Sequence, residues 1–194
     1  MPDWLDKQTG IRRAPTALEI LKGGKWTCNS CDERHEGMFD IGPRGPDHWP
    51  HARNFEPNGA LRMEGDFLSE DFCVLNGEDF FVRCLFEIPV HGLEHSFGYG
   101  VWTTLARANF ELYVEHFDDP AAGDTGPWFG YFSNSLRGIE ETIPEPCNVH
   151  PQLDRQRPLL TLQNREHELA RMQNEGITPE RVLEIYAAYG HSVG

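Results

Sequence analysis

Two cysteines near the N-terminus have the spacing most suggestive of chemistry in this chain. Cys28 and Cys31 are separated by two residues, and His35 follows after three more. A tight turn with this spacing can direct two thiolates and an imidazole at one metal ion, and zinc prefers such ligands. We therefore predict a small zinc-knuckle-like turn here. Free thiols and a redox pair are the alternatives, although a thioredoxin-like pair opens a helix and residues 32–37 do not have a helical pattern.

A structural zinc site needs four protein ligands, so Cys28 and Cys31 require two more. His35 is the nearest candidate. Cys73 is the preferred distant ligand, because it lies on a predicted strand that could pair beside the strand after the cysteine turn. The other distant candidates are Cys84, Cys147, His91 and His95. The predicted cofactor is thus a structural zinc ion.

The strand that carries Cys73 belongs to the clearest hairpin signal in the sequence. Asn76-Gly77 separates two β-rich runs, and both residues readily adopt the positive φ angles of a two-residue turn. This turn would place Cys73 opposite Phe80, on the same side of the sheet as Val82.

The remaining pattern predicts an α+β fold, with a mainly antiparallel sheet and three or four helices. Further strands are predicted at residues 36–41, 97–103, 128–132, 149–153 and 158–162. Helices are predicted shortly after Pro15, at residues 104–117 with Thr104 as the cap, at residues 165–174 and after Thr178. We divide the chain into an N-terminal appendage, residues 1–24, and a single α+β domain, residues 25–194.

Composition narrows the classes of partner. The chain has 194 residues and a formal net charge of −14, which opposes binding to the phosphate backbone of nucleic acids. No apolar run is long enough for a membrane span, and no export signal precedes the five cysteines, so we expect a cytoplasmic protein with reduced thiols. The acidic surface and the long Gly/Pro-rich loop at residues 42–59, which contains Trp49, predict a protein partner, in an interaction or an inhibitor or immunity-like role. Oligomeric state has no signal in the sequence.

A catalytic role is the alternative. A zinc-dependent hydrolase would keep a water molecule in one ligand position, with Asp71 as the candidate general base. The chain has no P-loop, no G-x-S-x-G elbow and no H-E-x-x-H motif. We therefore assign no catalytic residue.

Scattered motifs resemble a bacterial family of unknown function, domain-of-unknown-function family twenty-one ninety-nine, over roughly residues 25–189. They are the cysteine–histidine segment 28–35, Asp71-x-Cys73 with its hairpin, Pro89, the Gly-x-Gly-x-Trp strand ending at Trp102, and His167 before Gly176-Ile-Thr. The resemblance implies Cys28, Cys31, His35 and Cys73 as one linked set and does not support Cys84. It implies no activity, and the long loop after Ile41 departs from the family pattern.

Overall fold

A computed structural model describes residues 13–118, 125–139, 144–153 and 156–193. Within these residues the helices are α1 (Ala17–Leu21), α2 (Arg107–Glu115), α3 (Glu168–Glu175) and α4 (Pro179–Ala188). The strands are β1 (Lys25–Thr27), β2 (Arg34–Glu36), β3 (Phe67–Leu68), β4 (Phe72–Leu75), β5 (Asp79–Ile88), β6 (Phe97–Leu105), β7 (Trp128–Phe132), β8 (Glu145–His150) and β9 (Leu159–Leu162). The predicted α+β class is confirmed.

The strands form two sheets. β1 and β2 make a small antiparallel pair, and β3 to β9 make a seven-stranded sheet in which each strand pairs antiparallel with the next. In addition, Leu85 of β5 meets Leu159 of β9 in parallel, so the strands from β5 to β9 close into a ring. This parallel contact was not part of the predicted antiparallel sheet.

The hairpin between β4 and β5 forms, but its register differs from the predicted one. Asn76 and Gly77 have positive φ, and the Glu78 N–H donates to the Leu75 carbonyl at 3.0 Å, as expected for the turn. However, Leu75 pairs with Asp79, so Glu78 is an extra, unpaired residue. Cys73 therefore lies opposite Phe81, and the predicted pairing with Phe80 was wrong.

The two faces of the sheet have separate cores. Alternation places Phe72, Val74 and Val82 in the main core, which also contains Cys28. The side chains on the other face form a smaller cluster, which consists of Leu68, Cys73, Phe81 and Trp102. The predicted grouping of Cys73 with Val82 is thus reversed, because a one-residue slip moves a side chain to the opposite face.

The predicted N-terminal helix is present as α1. Its N-cap is a capping box, in which Thr16 accepts from the Glu19 N–H and the Glu19 carboxylate accepts from the Thr16 N–H at 2.8 Å. Ile20 and Leu21 are buried in the main core, and the helix contacts α4. Residues 1–12 lie outside the described residues, so the division at residue 24 stays a prediction.

Two of the wrongly predicted boundaries reflect contacts with distant strands. The strand predicted at residues 36–41 stops at Glu36, and Ile41 makes only a single parallel bridge with Tyr99. Thr104 does not cap α2, because it remains in β6 and its hydroxyl accepts a hydrogen bond from the Tyr131 N–H at 2.9 Å. No helix among the described residues combines the length and apolarity that a bilayer crossing requires.

Candidate metal centre

The β1–β2 pair shapes the cysteine turn. Trp26 pairs with His35, and the chain between the two strands folds back through hydrogen bonds at its base. The Cys28 N–H donates to the Glu33 carbonyl at 2.9 Å, and the Asp32 N–H donates to the Cys28 carbonyl at 3.1 Å. The predicted turn with both cysteines is therefore present, and it brings Cys28, Cys31 and His35 to one side.

The C-terminal segment supplies a fourth donor, His191. Gly190 follows Tyr189, the C-cap of α4, and has a φ of 88°, the conformation that glycine adopts most easily at a helix end. The His191 N–H then donates to the Tyr186 carbonyl at 2.8 Å and the Gly190 N–H donates to the Ala187 carbonyl at 3.0 Å, which together form a Schellman motif. This helix end turns His191 towards the cysteine turn.

Backbone contacts fix the C-terminal segment beside the turn. The Asn29 N–H donates to the Ser192 carbonyl at 2.9 Å, and Cys28 forms an isolated antiparallel bridge with Val193. The hydroxyls of Ser30 and Ser192 lie 2.9 Å apart. The position of His191 is therefore held by main-chain contacts as well as by the helix end.

The four donor atoms are arranged compactly enough for one ion. One atom each from Cys28, Cys31, His35 and His191 lies within 4.8 Å of the other three. The Cys31 Sγ is 3.5 Å from His35 Nε2 and 3.7 Å from His191 Nδ1. Tetrahedral zinc with Zn–S of about 2.3 Å and Zn–N of about 2.05 Å requires sulfur–nitrogen separations of about 3.6 Å. The two measured separations fit that requirement.

Aromatic rings hold the two imidazoles in place. The His35 ring packs between Trp26, with ring centroids 4.6 Å apart, and Phe39, with centroids 4.9 Å apart. The His191 ring meets His35 edge-on at 5.1 Å and Phe39 at 5.6 Å. Phe39 stacks in turn on the buried Tyr186 ring at 4.3 Å. The donors therefore stand on a packed support, which reduces the ordering that metal binding requires.

The two thiols differ in their pKa values. Burial acts to raise the pKa of Cys28, but hydrogen bonds from the backbone N–H groups of Ser30 and Cys31 and from the Cys31 thiol outweigh burial and lower that pKa to about 6. For Cys31, the backbone hydrogen bond at Glu33 acts to lower the pKa, but burial and the neighbouring Cys28 thiolate raise it overall. A cation between the two sulfurs would favour the thiolate form of both.

Three of the four predicted ligands thus come together, and Cys73 does not join them. Cys73 is fully buried in the small cluster on the opposite face of the sheet, where burial raises the pKa of its thiol to about 12. A buried thiol among apolar side chains behaves as a small apolar group. The structure therefore separates Cys73 from the other three predicted ligands and places His191 beside them.

The other distant candidates also lie elsewhere. Cys84 and Cys147 are fully buried, and the Cys147 thiol lies 3.1 Å from the Thr103 hydroxyl. His91 Nε2 lies 2.9 Å from the Glu175 carbonyl oxygen, and His95 is exposed. His191 was not among the predicted ligands, although Gly190 after an amphipathic helix indicates that the chain turns at this point.

Comparison with known proteins identifies the family. A family model described as an uncharacterized protein conserved in bacteria, DUF2199, matches residues 27–177, which is more than half of the chain. The chain belongs to this family. No curated protein and no solved structure gave a significant match. The DUF2199 match includes Cys28, Cys31 and His35, whereas His191 lies beyond it.

Proposed function

We propose that this DUF2199 protein binds one zinc ion through Cys28, Cys31, His35 and His191, and that the ion has a structural role. The observation that carries the proposal is the mutual proximity of the four donor atoms within 4.8 Å. Two thiolates and two imidazoles are a common structural zinc set, and four protein ligands leave no position for a reactive water. The ion would join the N-terminal turn to the C-terminal segment.

Zinc content tests this assignment. Untagged wild-type protein is expected to contain about one equivalent of zinc by elemental analysis, because four protein ligands complete a tetrahedral site. His191→Ala is expected to lose most of it, while Cys73→Ser and the exposed-histidine control His95→Ala retain it. If Cys73→Ser lost zinc and His191→Ala kept it, the ligand set predicted from the sequence, with Cys73, would be supported. The set with His191 would then be rejected.

The hydrolase alternative gains no support from the position of Asp71. One carboxylate oxygen accepts from Arg157 Nε at 2.9 Å, and the other accepts from the Asn58 amide at 2.8 Å. Asp71 is therefore held by an ion pair and a hydrogen bond, while the zinc donors come from the β1–β2 turn and the end of α4. Both carboxylate oxygens already have partners, so geometry gives no reason to assign Asp71 a base role.

We also propose that the protein acts in the cytoplasm. The five cysteines of the sequence all lie in the described residues, and each is free. Free thiols are typical of proteins in reducing compartments.

A protein partner with a basic surface is a further part of the proposal. It is supported by the net charge of −14 and by two adjacent exposed rings on β7, Phe129 and Tyr131, whose centroids lie 5.1 Å apart. Trp49 of the 42–59 loop, by contrast, is half-buried against the small cluster and offers no fully exposed ring.

The partner proposal has a direct test in the bacterial host. A protein captured at low salt should dissociate as salt is raised, and the Phe129→Ser/Tyr131→Ser variant should fail to capture it. Capture that is insensitive both to salt and to the double substitution would contradict the proposal.

A further inference from the structure

A cavity lies beside the candidate metal centre, and His191 is one of its lining residues. Its volume is about 460 Å³, within the usual range for small-molecule sites. Strands β5 and β6 form its floor, and residues 39–42 and the end of α4 form its sides. Its apolar walls are provided by Phe39, Ile41, Leu85 and Tyr189.

Arg83 is the distinctive group in this cavity. Its guanidinium lies against Gly100, where an added Cβ would be only 3.1 Å from Nη2 and 3.2 Å from Nε. The Nε atom is buried without a hydrogen-bond partner, and within the described residues no carboxylate lies within ion-pairing distance of Arg83. Burial, followed by the charge of Arg157, lowers the Arg83 pKa. Glu70 and Asp71 act on that pKa in the opposite direction, but neither carboxylate pairs directly with Arg83, so the partly desolvated guanidinium has no anion in contact.

The other charged groups of the cavity already have partners. Arg157 pairs with Asp71 at 2.9 Å and with Glu70 at 3.1 Å. Asp40 also lines the cavity, and its carboxylate accepts from the Gly98 N–H at 3.0 Å. Arg83 is therefore the cation that an entering anion would meet.

We propose that this cavity binds a small molecule that carries a carboxylate or a phosphate on an apolar body, with the Arg83 guanidinium as the anion partner. The planar guanidinium fork matches the oxygens of either group and binds them through charge-assisted hydrogen bonds. The apolar walls would accommodate an aromatic or aliphatic body. The proposal does not depend on the metal, since Arg83 is not a zinc donor.

Titration calorimetry at constant ionic strength, in a buffer free of phosphate, tests the proposal with benzoate, phenyl phosphate and inorganic phosphate as probes. At least one probe should bind wild-type protein at concentrations of about 10 mM or below. Preference for benzoate would indicate a carboxylate ligand, and preference for phenyl phosphate would indicate a phosphate monoester. Binding by none of the three would overturn the proposal.

Variants connect the binding to Arg83. Arg83→Met should lower the affinity for the probe about tenfold or more, since it removes the charge-assisted hydrogen bonds. Arg83→Lys should lower this affinity less. Arg107→Met, which removes an exposed arginine paired with Glu111 on α2, should leave affinity unchanged. Without a probe, Arg83→Met should not lower the melting temperature, because it replaces an unpaired, partly buried charge. Equal affinity in wild-type and Arg83→Met protein would refute the assignment.

Discussion

Cys31→Ser is expected to lower the melting temperature by about 8–16 °C in buffer that contains zinc. A ligand that binds only the folded state at about 1,000 times its Kd stabilises that state by about 4 kcal/mol. For a chain of this size, each kcal/mol corresponds to about 2–4 °C. Cys31 is exposed, so serine at this position should cost little packing energy. The decrease in melting temperature would therefore measure the loss of the bound metal.

Chelation provides the control for this variant. Wild-type protein stripped of metal should melt at the same temperature as Cys31→Ser, because both then lack the same ion. Adding zinc back should restore the wild-type protein and leave the variant close to its metal-free melting temperature. If Cys31→Ser still melted below the wild-type protein by the same amount in the presence of chelator, serine would act through packing and not through zinc.

Tyr186→Phe is expected to give the second large effect. The buried Tyr186 hydroxyl donates to the Phe39 carbonyl at 2.6 Å and accepts from the Phe39 N–H at 2.7 Å. Removing it leaves two main-chain groups without this partner, at a cost of about 2–4 kcal/mol, or about 4–16 °C in melting temperature. Because Phe39 contacts both His35 and His191, zinc affinity should also fall, while zinc content at saturating zinc stays unchanged.

Tyr189→Phe is the matched control on the same helix end. Its hydroxyl accepts a single, longer hydrogen bond from the Arg137 N–H at 3.3 Å, and the residue is only half-buried. Melting temperature and competitive zinc titration should both change much less than in Tyr186→Phe. Equal effects of the two substitutions would mean that the Tyr186 hydroxyl does not support the metal centre through Phe39.

The local part of the site could be predicted from sequence, whereas the distant part could not. Cys28, Cys31 and His35 lie within one turn and two short strands, so their spacing alone limits their separation. His191 reaches them only because α4 packs where it does and Gly190 reverses the chain. Tertiary packing of this kind leaves no periodic signal in the sequence.

The position of Cys73 away from the cluster has its origin in the β4–β5 hairpin. Asn76-Gly77 correctly indicated a hairpin, but the ladder resumes one residue later than a simple two-residue turn allows. Residues outside the hairpin hold its tip, since the Gly77 N–H donates to the Gly65 carbonyl and the Asn76 N–H donates to the Asp66 carboxylate. One extra residue was enough to place Cys73 on the face away from Cys28.

Helix ends were predictable where a side chain caps them and were not where a strand competes for the same residue. Thr178 caps α4 as expected, accepting from the Arg181 N–H at 3.3 Å. His167 caps α3 through Nδ1, so this helix begins three residues after its predicted start at residue 165. Thr104 is a residue type that commonly caps helices, yet its hydroxyl accepts a hydrogen bond from the Tyr131 N–H of β7 instead.

X-ray absorption spectroscopy at the zinc edge of purified wild-type protein tests the metal centre most directly. We expect a first coordination shell of two sulfur atoms at about 2.3 Å and two imidazole nitrogens at about 2.0–2.1 Å, and a zinc-edge signal that is largely lost in His191→Ala. A shell with three sulfur atoms, or a zinc-edge signal that His191→Ala leaves unchanged, would contradict the proposed ligand set.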